Sequence, residues 1–249
     1  MNSDYTHESS TEENTLSMRQ VHTITDRFSM ANTYLINDER LIVVDPGTEL
    51  NVRQLQFYIQ HILHRSCADI DLIVLTHLHP DHTAGVEAMH KLSSAPVAAS
   101  AVVRRLIEKA AHERRGTPSF AQLAEHLMTG PLQHVDLFPP IYERQYKLVD
   151  LWLDDVVGLP DHPYWRVIAS PGHTPESLCL YNPFSLELLC GDTVITIQGG
   201  APLLRGSTNR RQLEETLRLL RSLQVHYLYP GHGRPILSLH PLNNVDVEW

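Results

Sequence analysis

Five times along the chain an apolar run gives way, directly or after a turn-forming or small residue, to a carboxylate or an imidazole. LIVVDPG carries Asp45, LIVLTHLHPDH carries His77, His79, Asp81 and His82, VIASPGH carries His173, LLCGD carries Asp192, and YLYPGH carries His232. Each apolar run reads as a buried strand. Strands stacked in a sheet end along shared edges, and the loops leaving one edge can converge on a single point. The repeated pattern therefore constrains the fold to layers of sheet and helix with the polar chemistry gathered on one rim.

The remaining segments fit that scheme. Strand-like runs at 19–25, 33–36 and 41–44 open the body of the protein, a helix is expected over 51–64, and 71–76 returns to a strand. A short helix over 83–92 and a strand over 95–100 follow. Residues 101–114 and 119–130 repeat apolar positions at helical spacing, with Ser119 as an N-cap and Gly130 as a stop for the second helix. The stretch 131–150 is irregular. From 165 the chain alternates again through a hairpin with an Asn-Pro turn, a helix over 213–223 and the last strand. The first 17 residues are polar, with neither a basic start nor an apolar core, and are expected to be a disordered tail rather than a signal or an anchor.

Residue types and spacing define the chemistry. His77 and His79 stand at i and i+2 and project to one side of an extended segment, so together they can chelate one ion. Asp81 and His82, on the turn, are displaced enough to serve a second ion. Two cations held close together need a bridging carboxylate, for which Asp192 is the best placed, and His173 and His232 complete the shells. Three imidazoles and a carboxylate within six residues repel one another or compete for solvent unless a cation binds them. With 16 histidines in the chain, the isolated His22, His61, His64, His90, His112 and His126 are read as ordinary surface or hydrogen-bonded residues.

On these motifs the sequence resembles the metallo-β-lactamase-fold hydrolases, from about residue 19 to the end. The resemblance implies an α+β chain folded as a four-layer αββα sandwich, one domain over 18–249, with 101–150 a helical insertion or cap. It places His77, His79 and His173 on a first metal, Asp81, His82 and His232 on a second, Asp192 between them, and Asp45 in support from outside the ligand shell. Two bound cations lower the pKa of a bridging water toward ~7 and polarise a substrate carbonyl, with Asp81 also placed to accept or relay the proton. The implied activity is hydrolysis of an ester-like bond (thioester, lactone or related carboxylic ester) of a small molecule by a metal-bridging hydroxide. The two metals are expected to be zinc, with iron and manganese suiting the same ligands.

Within that resemblance the branch is glyoxalase II-like, but several positions depart from familiar patterns. The stretch after Asp192 lacks the cysteine-glycine-arginine segment of glyoxalase II, and 17 residues follow His232. Ile195 replaces the tyrosine common in quorum-sensing lactonases, and Glu176 stands where many relatives have glycine. Two other classes stay open: a mono-iron persulfide dioxygenase-like oxidoreductase using a subset of the ligands, and a regulatory binding protein that retains the fold.

Composition limits the partners. A net charge of −9 argues against a nucleic-acid backbone, and two divalent ions would bring it only to −5. No apolar stretch approaches the ~18–20 residues that cross a bilayer, so the expectation is a cytoplasmic protein without a membrane partner. Cys67, Cys179 and Cys190 are too few for a disulfide framework and are expected to be buried thiols. A homodimer is left open.

Overall fold

The computed structural model describes residues 21–113, 147–154, 158–196, 202–204 and 206–247. Two six-stranded sheets pack face to face. The first runs β1 (Val21–Thr25), β2 (Asn32–Asn37), β3 (Leu41–Val44), β4 (Ile70–Val74), β5 (Val97–Ser100) and β6 (Leu151–Leu153), paired in chain order. β1 to β3 are antiparallel and β3 to β6 parallel. The second contains β7 (Gly158–Leu159), β8 (His162–Ala169), β9 (Leu178–Asn182), β10 (Glu187–Gly191), β13 (Tyr227–Pro230) and β14 (Ile236–Leu237), in the order β14-β13-β10-β9-β8-β7. A small sheet of β11 (Ile195–Thr196), β12 (Pro202–Leu204) and β15 (Asp246–Val247) lies beyond them.

Side-chain alternation explains the uninterrupted apolar runs. Leu41 and Val43 enter a core under α1 (Glu49–His61) and α3 (Val86–Ser93), where Leu55, Ile59 and Met89 are fully buried. Ile42 and Val44 point the other way, into the core between the sheets with Trp165, Leu180 and Tyr229. On the second sheet Leu178 and Leu180 share that middle core, while Cys179 and Tyr181 face a third core closed by Leu213, Leu217 and Leu220 of α5 (Arg210–Arg221). Strands covered on both faces have no solvent side to carry polar residues. Helix, sheet, sheet and helix make four layers, as the resemblance implied.

The cysteines are free and buried. α4 (Ala101–Glu113) follows β5 directly, with Val103 buried in the first core and Leu106 40% exposed. The expected helix over 119–130, most of the segment to 150 and the polar tail lie outside the described residues, so the cap and tail stay as expectations. Short strands such as β6, β7 and β12 escaped sequence reading because two or three residues show no period.

Candidate metal centre

β3 and β4 run parallel, β10 and β13 run parallel, and β8 shares their direction because it is antiparallel to β9, which is antiparallel to β10. All five carry their candidate residue just past the C-terminal end. That shared direction brings seven side chains from positions 77 to 232 into two neighbouring groups. His77, His79, His173 and Asp192 form one, and Asp81, His82 and His232 the other, each with donor atoms all within 4.8 Å of one another.

Local backbone geometry sets the aim of each residue. Leu78 is buried in the first core, so the extended segment turns its neighbours His77 and His79 toward the opposite side. Pro80 then opens the four-residue helix α2 (Pro80–Thr83), with His79 as its N-cap. The change from extended to helical backbone moves Asp81 and His82 to the adjacent group. Two glycines allow the strand ends to close: a Cβ on Gly231 would fall on Asp192 Oδ1, and one on Gly191 would stand 2.5 Å from Thr76 Oγ1.

Asp192 lies between the groups. Its Oδ1 is 3.4 Å from His82 Nε2, while Oδ2 is 3.8 Å from His77 Nε2, 3.5 Å from His173 Nε2 and 3.4 Å from His232 Nε2. His79 Nδ1 stands 3.1 Å from His173 Nε2, and His82 Nε2 stands 3.3 Å from His232 Nε2. Asp81 Oδ2 lies 3.2 Å from His232 Nε2 and 3.8 Å from His82 Nε2.

These distances suit a cation. Two ligand atoms each ~2.0–2.1 Å from a tetrahedral ion stand about 3.3 Å apart. The buried His77 Nε2 and Asp192 Oδ1 have no hydrogen-bond partner, an arrangement that is costly unless something positive completes it. The outward nitrogens are already engaged: His173 Nδ1 meets Gly206 O at 2.5 Å, His82 Nδ1 meets Asp45 Oδ2 at 3.2 Å, and His77 Nδ1 meets Thr76 Oγ1 at 3.1 Å. An N–H held on each of those nitrogens leaves the Nε2 lone pairs of His77, His82 and His173 facing the site. The residues present fit divalent metal ions.

Asp45, expected outside the ligand shell, has a carboxylate oxygen within 4.8 Å of the donor atoms of His77 and His82, a third grouping that joins the other two. It adopts a positive φ of 53°, and its carboxylate accepts from Thr76 N at 2.8 Å and Thr76 Oγ1 at 2.6 Å besides facing His82. Thr76 thus links Asp45 to His77, a role that no spacing in LIVLTH announces.

Electrostatics follow from burial and pairing. Burial pushes the His77 imidazole well below its ordinary pKa, and it brings His79 down to about 4. Burial also opposes charge on His82 and His232, but the Asp192 carboxylate outweighs it, aided by Asp45 at His82 and by Asp81 at His232. His82 is held well above the usual imidazole range and His232 is raised to about 9. Against the same desolvation, the positive His82 and the bond from His232 keep Asp192 well below the usual carboxylate range. Without metal, protons on the second group's histidines balance the buried carboxylates.

Glu176 is 2% exposed, its Oε1 has no hydrogen-bond partner, and burial raises its pKa against the pull of Thr174 and the Leu78 backbone. It sits behind the His77–His79 segment, beside the Leu78 backbone. Among the isolated histidines, His22 meets Tyr58 Oη at 3.1 Å and His90 meets Ala95 O at 2.9 Å, ordinary structural contacts.

Comparison with known proteins agrees with this geometry. A probable metallo-hydrolase of Bacillus subtilis, YqjP, is 25% identical over 84% of this chain and 69% of its own. A hydroxyacylglutathione hydrolase of Idiomarina loihiensis is 24% identical over 85% of this chain, which spans only 60% of that protein. The crystal structure of the metallo-beta-lactamase family protein TTHA1429 from Thermus thermophilus superposes with a TM-score of 0.60 at 23% identity, covering 90% of this chain and 75% of that one. Its likeness is one of fold. The profile of the metallo-beta-lactamase superfamily matches residues 26–232, from the first hairpin turn to the last candidate ligand, and with the layers and motifs above this shows that the chain belongs to that superfamily.

Proposed function

We propose that this chain is a hydrolase that holds two divalent cations and cleaves an ester-like bond, in a thioester, lactone or related carboxylic ester of a small molecule. One observation carries the reading: two separate imidazole-rich groups share the carboxylate of Asp192. His77, His79 and His173 would hold the first ion, Asp81, His82 and His232 the second, and Asp192 both. Zinc is the proposed ion, in keeping with the nitrogen-rich donor set. When bound, such a pair of ions supplies Lewis acidity and makes water acidic enough to act as a nucleophile near neutral pH.

The chain's own residues supply the rest. Asp81 has a side chain 34% exposed, the more accessible of the two carboxylates in the groups, and in this reading its carboxylate takes the proton from the nucleophilic water and returns it to the leaving group. Thr76 and Asp45 fix the rings of His77 and His82, one in each group, through their Nδ1 atoms, so both Nε2 atoms are held facing the site. Beside the opening, the turn between β1 and β2 presents Phe28 and Met30, 80% and 45% exposed, next to Ala31, which bridges to His232. They offer an apolar rest for the non-reacting part of a substrate.

Metal analysis of protein purified without chelator, coupled to a panel of a thioester, a lactone, a carboxylic ester and a phosphodiester, tests the reading. About two equivalents of metal with turnover of a carboxylic acid derivative is the expected result. One equivalent of iron with oxygen consumption, or no turnover of any member, would overturn it.

A further inference from the structure

The second group depends on His232, and His232 is held differently from its partners. Its side chain is 24% exposed, against 0% for His82 and 10% for His173. Three of the other histidines have Nδ1 fixed by Asp45, Thr76 or Gly206. No hydrogen bond from a described residue fixes His232 Nδ1, so the placement of its Nε2 falls to the backbone of the Pro230–Gly233 turn.

That turn is gripped from the other sheet. Asn32, at the start of β2 and 1% exposed, donates its backbone N–H to Gly231 O at 2.7 Å and its amide Nδ2 to Pro230 O at 2.9 Å and Gly233 O at 2.7 Å. Three carbonyls around His232 are thus bound by one residue about 200 positions away in sequence. The amide is itself oriented, since Thr25 Oγ1 donates to Asn32 Oδ1 at 2.7 Å, and Tyr34 Oη lies 3.2 Å from Nδ2 while donating to Pro230 O at 2.5 Å. On the far side Thr196 N donates to His232 O at 2.9 Å, and Gly231 N donates to Gly191 O at 2.7 Å, next to Asp192. Nothing here touches His77, His79 or His173.

We propose that Asn32 is the positioning residue for the second cation site: by clamping Pro230, Gly231 and Gly233 across the sheet interface it sets His232 against Asp81 and His82, with the first site reached only through the shared Asp192. The proposal rests on the two-ion reading above. An amide is required because only an N–H pair can serve two carbonyls at once. A carboxylate of the same shape would replace Nδ2 with an oxygen, an acceptor facing both carbonyl acceptors.

The test is stepwise Co(II) titration of metal-free protein, followed by visible absorption and calorimetry, on wild type, Asn32→Asp, Tyr34→Phe and the control His232→Ala. Wild type should take up two equivalents in two resolvable steps. In Asn32→Asp the first step should keep its affinity and absorption band, while the second weakens by about tenfold to a hundredfold, the range for lost ligand support. His232→Ala should lose the same step. Tyr34→Phe, which keeps its ring packing, should weaken that step alone by roughly twofold to tenfold, the effect of one hydrogen bond, and it carries the test should Asn32→Asp not fold. A merely structural role would shift both steps together. Parallel loss of both steps, or no change in folded variants, would overturn the proposal. Wild type binding a single equivalent would overturn the two-ion reading and this proposal with it.

Discussion

Asp192 is the residue on which the two groups depend, because its two oxygens face four imidazoles. Asp192→Asn keeps the shape but removes the charge that the two proposed ions would share. Lost support outside the ligand shell costs 10–100-fold in affinity, so losing this carboxylate should weaken metal binding by more than about a hundredfold. Dialysis against a metal buffer followed by elemental analysis measures it. The two groups should also differ in pH dependence. His77 and His79 are held neutral, with His79 at about 4, so neither has a proton for the first ion to displace above about pH 6. His82 and His232 keep protons in the metal-free protein, His232 up to about 9, and an incoming ion must displace them. The second affinity should therefore rise with pH by about tenfold per unit for each proton displaced, the His232 contribution levelling near pH 9. Titration from pH 6 to 9 checks this, and equal slopes for both steps would count against the assignment of the groups. At this scale the candidate ligands were legible because they follow apolar runs, whereas Asn32 and Thr76 were not. Their partners are backbone groups or second-layer side chains, which leave no spacing to recognise.

At the scale of elements, the site is made by strand ends and the turns that leave them. Gly231 and Gly191 are small because those ends nearly touch: a methyl on Gly231 would meet Asp192 Oδ1 and lie 3.0 Å from His82 Cε1. Gly231→Ala should leave the four-layer fold intact and cut metal content of the purified protein by half or more, as measured by circular dichroism and elemental analysis of the same sample. The sequence showed glycine before Asp192 and before His232 but not the reason, which is an approach between β10 and β13 set by pairing. Element boundaries were read to within a few residues where period and caps agree. For α1 the expected 51–64 became Glu49–His61, with Thr48 capping Asn51 N and bonded to Asp26 on the first hairpin turn. α2 had no such signal, since four residues hold a single turn. That turn is what separates Asp81 and His82 from His77 and His79.

The whole molecule is a pair of sheets whose five strands bearing candidate site residues point one way, and that direction, more than any single residue, places the candidate site. Apolar runs without a polar face announced strands covered on both sides, so the layered fold was legible from composition along the strands. The pairing order was not, because register is decided by contacts such as Ile42 with Leu72 and Leu189 with Tyr229 that no local pattern encodes. Among the described residues no helix is long and apolar enough to cross a membrane. The net charge of −9 is partly concentrated where cations would offset it, at Asp45, Asp81 and Asp192. The account predicts that crystals grown without chelator, with anomalous scattering collected at the absorption edge of the metal found in the protein, will show two peaks roughly 3.5–4 Å apart on either side of Asp192. A single peak, or peaks remote from Asp192, would contradict it.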